Sequence, residues 1–469
     1  MDESRTFDVV ILAAGKGTRM RSTLPKVLHR LAGTSLVEHV IRTARALKPA
    51  AIHVVYGHGG ETVLEQLKPL GVDGVRQEPQ LGTGHALQQA MPLVKSGAVL
   101  VLYGDVPLTR TATLAPLVAA AARGALAVLT AELPDPAGYG RIVRDSGGNV
   151  LRIVEHKDAS DAERKIREVN TGILAAPAAQ LRAWLAQLQN NNAQGEYYLT
   201  DIIGMAARDG FRIETASAPA DWEILGVNSK AQLAELERIH QRNRANELME
   251  QGVTLMDPAR FDLRGTLTCG QDVEIDVNVV IEGQVRLGDR VKIGPNNVLK
   301  NCTVGADTLV HPNCVIEDAV IGNDCRIGPF ARLRPAAEIA DRGHIGNFVE
   351  IKKSKVGEGS KVNHLAYVGD STVGKGVNIG AGAITANYDG ANKHHTEIGD
   401  NASVGSNCVL VAPVKIGDGA TLGAGSVISK DAPAGELTVA RAKATTIPGW
   451  KRPKKRDTRD KIQDTSKKP

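Results

Sequence analysis

The residues best suited to chemistry fall in two widely separated groups. Near the start, Gly15 and Gly17 flank Lys16, with Arg19 and Lys26 close behind. Two glycines let backbone N–H groups approach phosphates with no Cβ in the way, and the three cations supply charge, a combination that suits a nucleoside triphosphate. Neither standard nucleotide fingerprint fits: Met20 stands where a dinucleotide loop needs its third glycine, and no G-x-x-x-x-G-K-[ST] occurs. A plain turn with solvated cations is the competing reading. Asp105 closes the apolar run 98–102 through Tyr103 and Gly104. A hard carboxylate at such a strand end suits Mg²⁺, which prefers a few protein oxygens beside substrate phosphates, although an Asp there also caps a helix. Gln77 and the loop 80–85, with Gly82 and Thr83, offer amide, hydroxyl and backbone groups able to read a base edge. Far downstream, Arg334 and Lys352 each follow an aliphatic residue, and His364 stands two places after another, Val362.

What must position the second group is a rhythm. From 263 to 428 an aliphatic residue returns almost every sixth position: Ile275, Ile281, Leu287, Ile293 and Leu299 begin the series, and Ile345, Ile351, Val356, Val362 and Val368 continue it. A period of six is neither 3.6 nor 2, so neither one amphipathic helix nor one long half-buried strand can use it; a parallel β-helix, with three short strands per coil, can. Residues 17 or 18 apart then stack on adjacent coils, about 4.8 Å apart. Arg334 and Lys352 share a face as a phosphate clamp, or as a solvated basic face. His364 lies above Asn347, and Tyr367 above Glu350. The rhythm breaks between Ile379 and Ile398, where a loop leaves the coil.

The first group needs a different scaffold. A buried strand over 8–12, further strands at 52–56, 98–103 and 126–133, and helices near 36–47, 61–67, 85–94 and 111–123 alternate as in an α/β doubly wound, mostly parallel sheet, with ligands beyond the strand C-termini. Residues 229–251 read as one helix with Leu233, Leu236, Ile239 and Leu248 along one side and Gly252 closing it. The expected organisation is a nucleotide-handling domain over 1–228, a helical linker over 229–251, the β-helix over 252–437, and a C-terminal segment over 438–469.

Of the net charge of +5, about +6 sits between Trp450 and Pro469, where nine Lys or Arg face three Asp, so the remainder is close to neutral. A basic, Pro-containing tail without aromatic platforms reads as solvated and disordered rather than as a nucleic-acid site. The five cysteines all lie in the repeat half with no C-x-x-C pair, as expected of apolar filler in a reducing compartment. The polar, acidic start is no secretory leader, and no apolar run approaches membrane-spanning length, so a cytoplasmic protein without membrane insertion is expected.

The string Leu12-Ala13-Ala14-Gly15-Lys16-Gly17-Thr18-Arg19-Met20, followed by Leu24-Pro25-Lys26, resembles the sugar-nucleotide pyrophosphorylases. The rhythm resembles the hexapeptide-repeat acyltransferases, whose β-helix is left-handed and trimeric, and the string 363–370 around His364 resembles a glucosamine-1-phosphate acetyltransferase site. Together, over about 9–453, the chain resembles the family of bacterial bifunctional enzymes that are both N-acetylglucosamine-1-phosphate uridyltransferases and glucosamine-1-phosphate N-acetyltransferases. The resemblance implies acetylation of glucosamine 1-phosphate from acetyl-CoA, then uridylyl transfer from UTP with loss of pyrophosphate, giving UDP-N-acetylglucosamine for the cell envelope. Lys26 and Arg19 would neutralise phosphate charge, and Asp105 with Asn228 would hold Mg²⁺. Leu12 to Gly15, Gln77, Gly82, Thr83 and Tyr103 to Asp105 would hold the nucleotide, while Gly140, Glu155 and Asn170 would hold the sugar. On the β-helix, His364 would be the general base and Glu350 its orienter. Arg334, Lys352, Tyr367, Asn378 and Lys393 would bind glucosamine phosphate, Lys393 coming from a neighbour in a homotrimer. Ala381, Asn387, Tyr388, Ser406, Ala424 and Arg441 would bind acetyl-CoA. The rivals are a pyrophosphorylase whose β-helix only oligomerises and a non-catalytic subunit of the same plan.

Overall fold

A computed structural model describes residues 6–57 and 59–453, so the expectation about the basic tail, 454–469, lies outside the described residues. The chain divides into two compact units, the first ending at Ala337 and the second beginning at Glu338.

The first unit opens on a sheet whose path runs Ile213–Ser217, Leu126–Glu132, Glu168–Pro177, Ala98–Tyr103, Phe7–Ala13, Ile52–Tyr56, Asp73–Arg76. The strand Phe7–Ala13 shows why both faces must be covered. Val9, Ile11 and Ala13 enter one core with the helix Leu36–Ala46, and Val10 and Leu12 enter the other with the helix Thr83–Ala90. The sheet is mostly parallel, as expected. The exception is Glu168–Pro177, antiparallel to both neighbours and carrying the hairpin Gly140–Arg144 and Val150–Val154 at its other end. That hairpin carries part of the expected sugar site.

The helix Lys230–Glu250 starts where expected: Ser229 caps it by accepting from the Gln232 amide at 3.2 Å, and Gly252 at φ 96° follows its end. Leu236 and Leu248 are buried and Leu233 and Ile239 partly so. An unforeseen member of this face is Gln241, whose amide accepts from Leu263 N–H at 2.7 Å and donates to Leu263 C=O at 3.1 Å. It pairs with the start of the repeats as a strand would.

The repeats form a parallel β-helix in both units. Anchors stack in columns, Ile281 on Leu299 on Ile316 and Ile275 on Ile293 on Val310 in the first unit. In the second, Ile345 stacks on Val362 and Ile379, and Ile351 on Val368. No anchor named above is more than about 5 % exposed. The corners turn through left-handed residues, mostly Asn and Asp, among them Asn278, Asn296, Asp307 and Asn407. The five cysteines are free thiols, four of them buried. Burial pushes Cys269 and Cys314 up to about 11 and Cys302 to about 12. Among the described residues no helix is long and apolar enough to cross a membrane.

Candidate functional sites

In the first unit the loop after Phe7–Ala13 doubles back on itself because Gly17 takes φ 59°, and a Cβ there would come within 2.7 Å of Lys26 Cβ. Only glycine lets this loop and Lys26 approach so closely. Lys26 Nζ lies 2.5 Å from Asp105 Oδ2 and 3.1 Å from Asn228 Oδ1, with both charged side chains largely buried. Two backbone bonds build this meeting point: Gly104 N–H to Leu12 C=O at 2.9 Å, and Val227 N–H to Asp105 C=O at 2.9 Å. Two oxygens from separate segments therefore converge on one cation-sized position. The surrounding cavity, about 520 Å³, is lined by Leu12 to Arg19, Lys26, Gln77, Gly82, Thr83, Tyr103, Asp105 and Asn228. Gly104 lies behind it, against Ala13.

The rim of that cavity is held by contacts the sequence did not announce. Gln77 is buried, and its amide donates to Gly82 C=O at 3.0 Å and meets His85 Nδ1 at 3.1 Å, so it fixes the loop. Tyr197 and Leu199 close over it: Tyr197 N–H donates to Leu81 C=O, Gly84 N–H to Tyr197 C=O, and Leu199 N–H to Thr83 Oγ1. This brings Glu196 to the cavity wall. No local motif marks Glu196; only these long-range bonds do.

Gly140, Glu155 and Asn170 gather beside it. Asn170 pairs with Gly140 across adjacent strands, and a Cβ on Gly140 would stand 3.5 Å from Glu155 Oε1. Tyr103 connects the two clusters, its hydroxyl pushed well above the ordinary tyrosine range by burial first and then by the negative charges of Glu155 and Asp105. Burial also raises Glu155, against a hydrogen bond from Thr200 Oγ1 at 2.9 Å that favours its charged form. Thr200 is a second contact that was not foreseen. Glu155 also borders a neighbouring polar cavity of about 580 Å³ with Asp158, Asp201, Arg152 and Arg208.

In the second unit one corner of the β-helix gathers the expected acetyl-transfer residues into a line. Each carbonyl accepts from an amide one coil on: Asn347 from Leu365, His364 from Gly382, Ala381 from Asn407, and Ser406 from Gly425. Ala424 C=O accepts from Arg441 Nη1 at 2.8 Å. His364, Ala381, Ser406, Ala424 and Arg441 thus follow one edge, spanning from His364 to Ala424 about 14 Å at the usual interstrand spacing. Glu350 pairs with Tyr367, and Lys352 with Gly369, over which the Tyr367 hydroxyl lies: a Cβ on Gly369 would collide with it. Asn378 stands between Lys361 and Ser403 in the column that carries His364. Arg334 follows Leu333, as expected, and belongs to the first unit.

His364 Nδ1 lies 2.8 Å from Asn347 Oδ1, the amide one coil below that the register sets directly opposite. In the inserted loop, Asn387 donates to Asp370 at 2.6 Å and is buried, while Tyr388 and Lys393 are exposed and bridge one another in antiparallel fashion. Asp389 pins that loop, accepting from the amides of Ala391 and Asn392 and from His394, contacts that hold its carboxyl far below the usual range.

Three family models match the chain: a MobA-like NTP transferase domain over 9–254, a GMPPB C-terminal domain over 263–337, and six repeats of the bacterial transferase hexapeptide over 395–430. Among curated proteins, the Bifunctional protein GlmU of Azoarcus sp. is 61 % identical over 96 % of this chain and 100 % of its own length. Those of Aromatoleum aromaticum and Chromobacterium violaceum are 59 % and 58 % identical, each over 96 % of this chain and 99 % of their own length.

Proposed function

The chain belongs to the family of bifunctional GlmU proteins, and on that premise we propose how its residues divide the work. It is a bifunctional transferase, a uridyltransferase and an acetyltransferase that together make UDP-N-acetylglucosamine. Residues 1–228 carry uridylyl transfer, 229–251 link, 252–437 carry acetyl transfer, and 438–453 supply Arg441.

In acetyl transfer, Lys352, Tyr367 and Asn378 hold glucosamine 1-phosphate. Lys393 of a neighbouring copy in a homotrimer completes that site. His364 removes a proton as the sugar amine attacks the thioester of acetyl-CoA; the C–N bond forms, the C–S bond breaks, and coenzyme A leaves as its thiolate. Asn387, Tyr388 and the edge from Ala381 through Ser406 and Ala424 to Arg441 bind the donor. A narrow line of small residues ending at a guanidinium suits a long, thin ligand that carries phosphates. A positioned base of this kind contributes ~10²–10⁴-fold.

In uridylyl transfer, a phosphate oxygen of N-acetylglucosamine 1-phosphate attacks the α-phosphorus of UTP and pyrophosphate leaves. Leu12 to Gly15, Gln77, Gly82, Thr83, Tyr103 and Gly104 seat the nucleotide, Gly140, Glu155 and Asn170 the sugar, and Lys26 and Arg19 neutralise charge on the phosphates. Asp105 and Asn228 fit Mg²⁺, because their oxygens already converge on the Lys26 ammonium. When bound, the ion supplies further charge neutralisation. Substrates of both reactions are cytoplasmic metabolites, and the protein works there.

The observation that supports this division best is that the uridylyl set gathers within the first unit while His364 and its line lie within the second. Crossed variants test it. Lys26→Ala should lose ~10²-fold or more of pyrophosphate release from UTP and N-acetylglucosamine 1-phosphate, yet keep coenzyme A release from acetyl-CoA and glucosamine 1-phosphate. His364→Ala should do the reverse. A His364→Ala protein that still acetylates would remove the base from acetyl transfer.

A further inference from the structure

We propose that Asn347 is the positioning residue of the acetyl-transfer base, selecting the imidazole tautomer that can accept a proton. The inference rests on His364 being that base. Asn347 ends the strand His344–Asn347 and His364 ends the strand Lys361–His364, and the two residues stand directly opposite each other in the register. Phe348 and Leu365, at φ 55° and 51°, then carry both coils round the same corner. The Leu365 N–H donates to Asn347 C=O at 3.1 Å, so the backbone holds the two side chains side by side before either makes a contact of its own.

The contact they make is Nδ1 to Oδ1, 2.8 Å. An amide oxygen only accepts, so it selects the ring form with hydrogen on Nδ1. The lone pair then sits on Nε2, the nitrogen left for substrate. A carboxylate in that place would select the same tautomer but would also stabilise the imidazolium, and a base that stays protonated cannot take the amine's proton. An amide fixes the geometry without adding that charge. Its hydrogen-bonding atom is therefore as specific a requirement as the histidine itself.

The test compares Asn347→Ala and Asn347→Asp with the wild type in the full-length protein, using acetyl-transfer rates from pH 5 to 9 and uridylyl transfer as the check on folding. For Asn347→Ala, acetyl-transfer kcat should fall ~10–10²-fold with both KM values within about twofold, the mark of a misoriented base rather than lost binding. For Asn347→Asp, kcat should be largely restored at high pH, with the acid limb moved upward by about one pH unit or more, because the new carboxylate favours the protonated ring. An Asn347→Ala enzyme with unchanged kcat overturns the proposal, as does an Asn347→Asp limb that does not move. An Asn347→Asp enzyme faster than wild type at every pH would mean that the wild-type amide donates to the ring, which also overturns it. His364→Ala separates the two levels. If that variant still acetylates, the assignment of the base has failed; if it is inactive while both Asn347 variants match the wild type, only the role of Asn347 has failed.

Discussion

Glu155, proposed to hold the sugar, shows how such a role can be at odds with stability. Its carboxyl is raised above the ordinary 4.5 chiefly by burial, so the folded protein keeps this proton at pH values where the unfolded chain has released it. Its contribution to stability is therefore full below the unfolded value and declines as pH rises through the raised folded value. Glu155→Gln should raise the melting temperature at pH 8 by about 2 °C, while weakening use of N-acetylglucosamine 1-phosphate about tenfold or more in KM. A melting temperature unchanged between the two proteins would show that the charge is not resisted by its surroundings. At this scale the sequence was legible where residue type alone stands out: Gly17, Lys26 and Asp105 were singled out separately, and they meet. It was illegible where an ordinary polar residue gains its role from a distant neighbour. Glu196 and Thr200 carry no motif, and Asn347 was visible only as the residue beneath His364, because a register can be counted along a sequence and the hydrogen bond between the two side chains cannot.

Elements were legible in proportion to how regularly they repeat. The six-residue spacing identified the β-helix because every coil states the same rule again, and each further coil removed another alternative. The hairpin Gly140–Arg144 and Val150–Val154 states its rule only once, around the polar turn pinned by Asp145 that joins its strands, and it meets the antiparallel strand Glu168–Pro177 only at Val169 and Asn170. Helix packing was also beyond reach. His39 on Leu36–Ala46 and His240 on Lys230–Glu250 meet edge to face at 5.5 Å. Burial lowers both, His240 to about 4, with His39 and Arg244 disfavouring its charge and Glu237 favouring it; Arg42 and Glu38 flank His39. The unfolded chain takes up the His240 proton near the ordinary 6.5 and the folded one only near 4, so the stability carried by keeping this ring neutral is complete above about 6.5 and lost as pH falls toward 4. Melting curves from pH 4 to 8 should therefore show a shallower acid-side decline for His240→Leu than for the wild type. Parallel declines would assign the acid sensitivity to other groups.

For the whole molecule, the corners of the β-helix bear on assembly. Most left-handed corners carry Asn or Asp, yet beside the proposed base they carry Phe348 and Leu365, both more than half exposed. A bulky side chain in that conformation costs about 1 kcal/mol, which is consistent with these two residues being covered in the proposed homotrimer. Leu365→Glu should reduce the mass measured by light scattering from three chains toward one and abolish acetyl transfer, while uridylyl transfer persists. An intact trimer with full acetyl transfer would remove this corner from the interface. The thiols set along the shaft have a separate consequence. A sulfhydryl shielded as Cys302 and Cys314 are is inert toward alkylating reagents until its own coil parts, so the cysteines amount to probes of breathing placed at known heights. Cys408, fully enclosed and two residues from Ser406, should be modified more slowly once acetyl-CoA is added, whereas Cys302 should be modified at an unchanged pace. Mass spectrometry of the tagged peptides over time would then map which turns of the shaft the donor clamps shut.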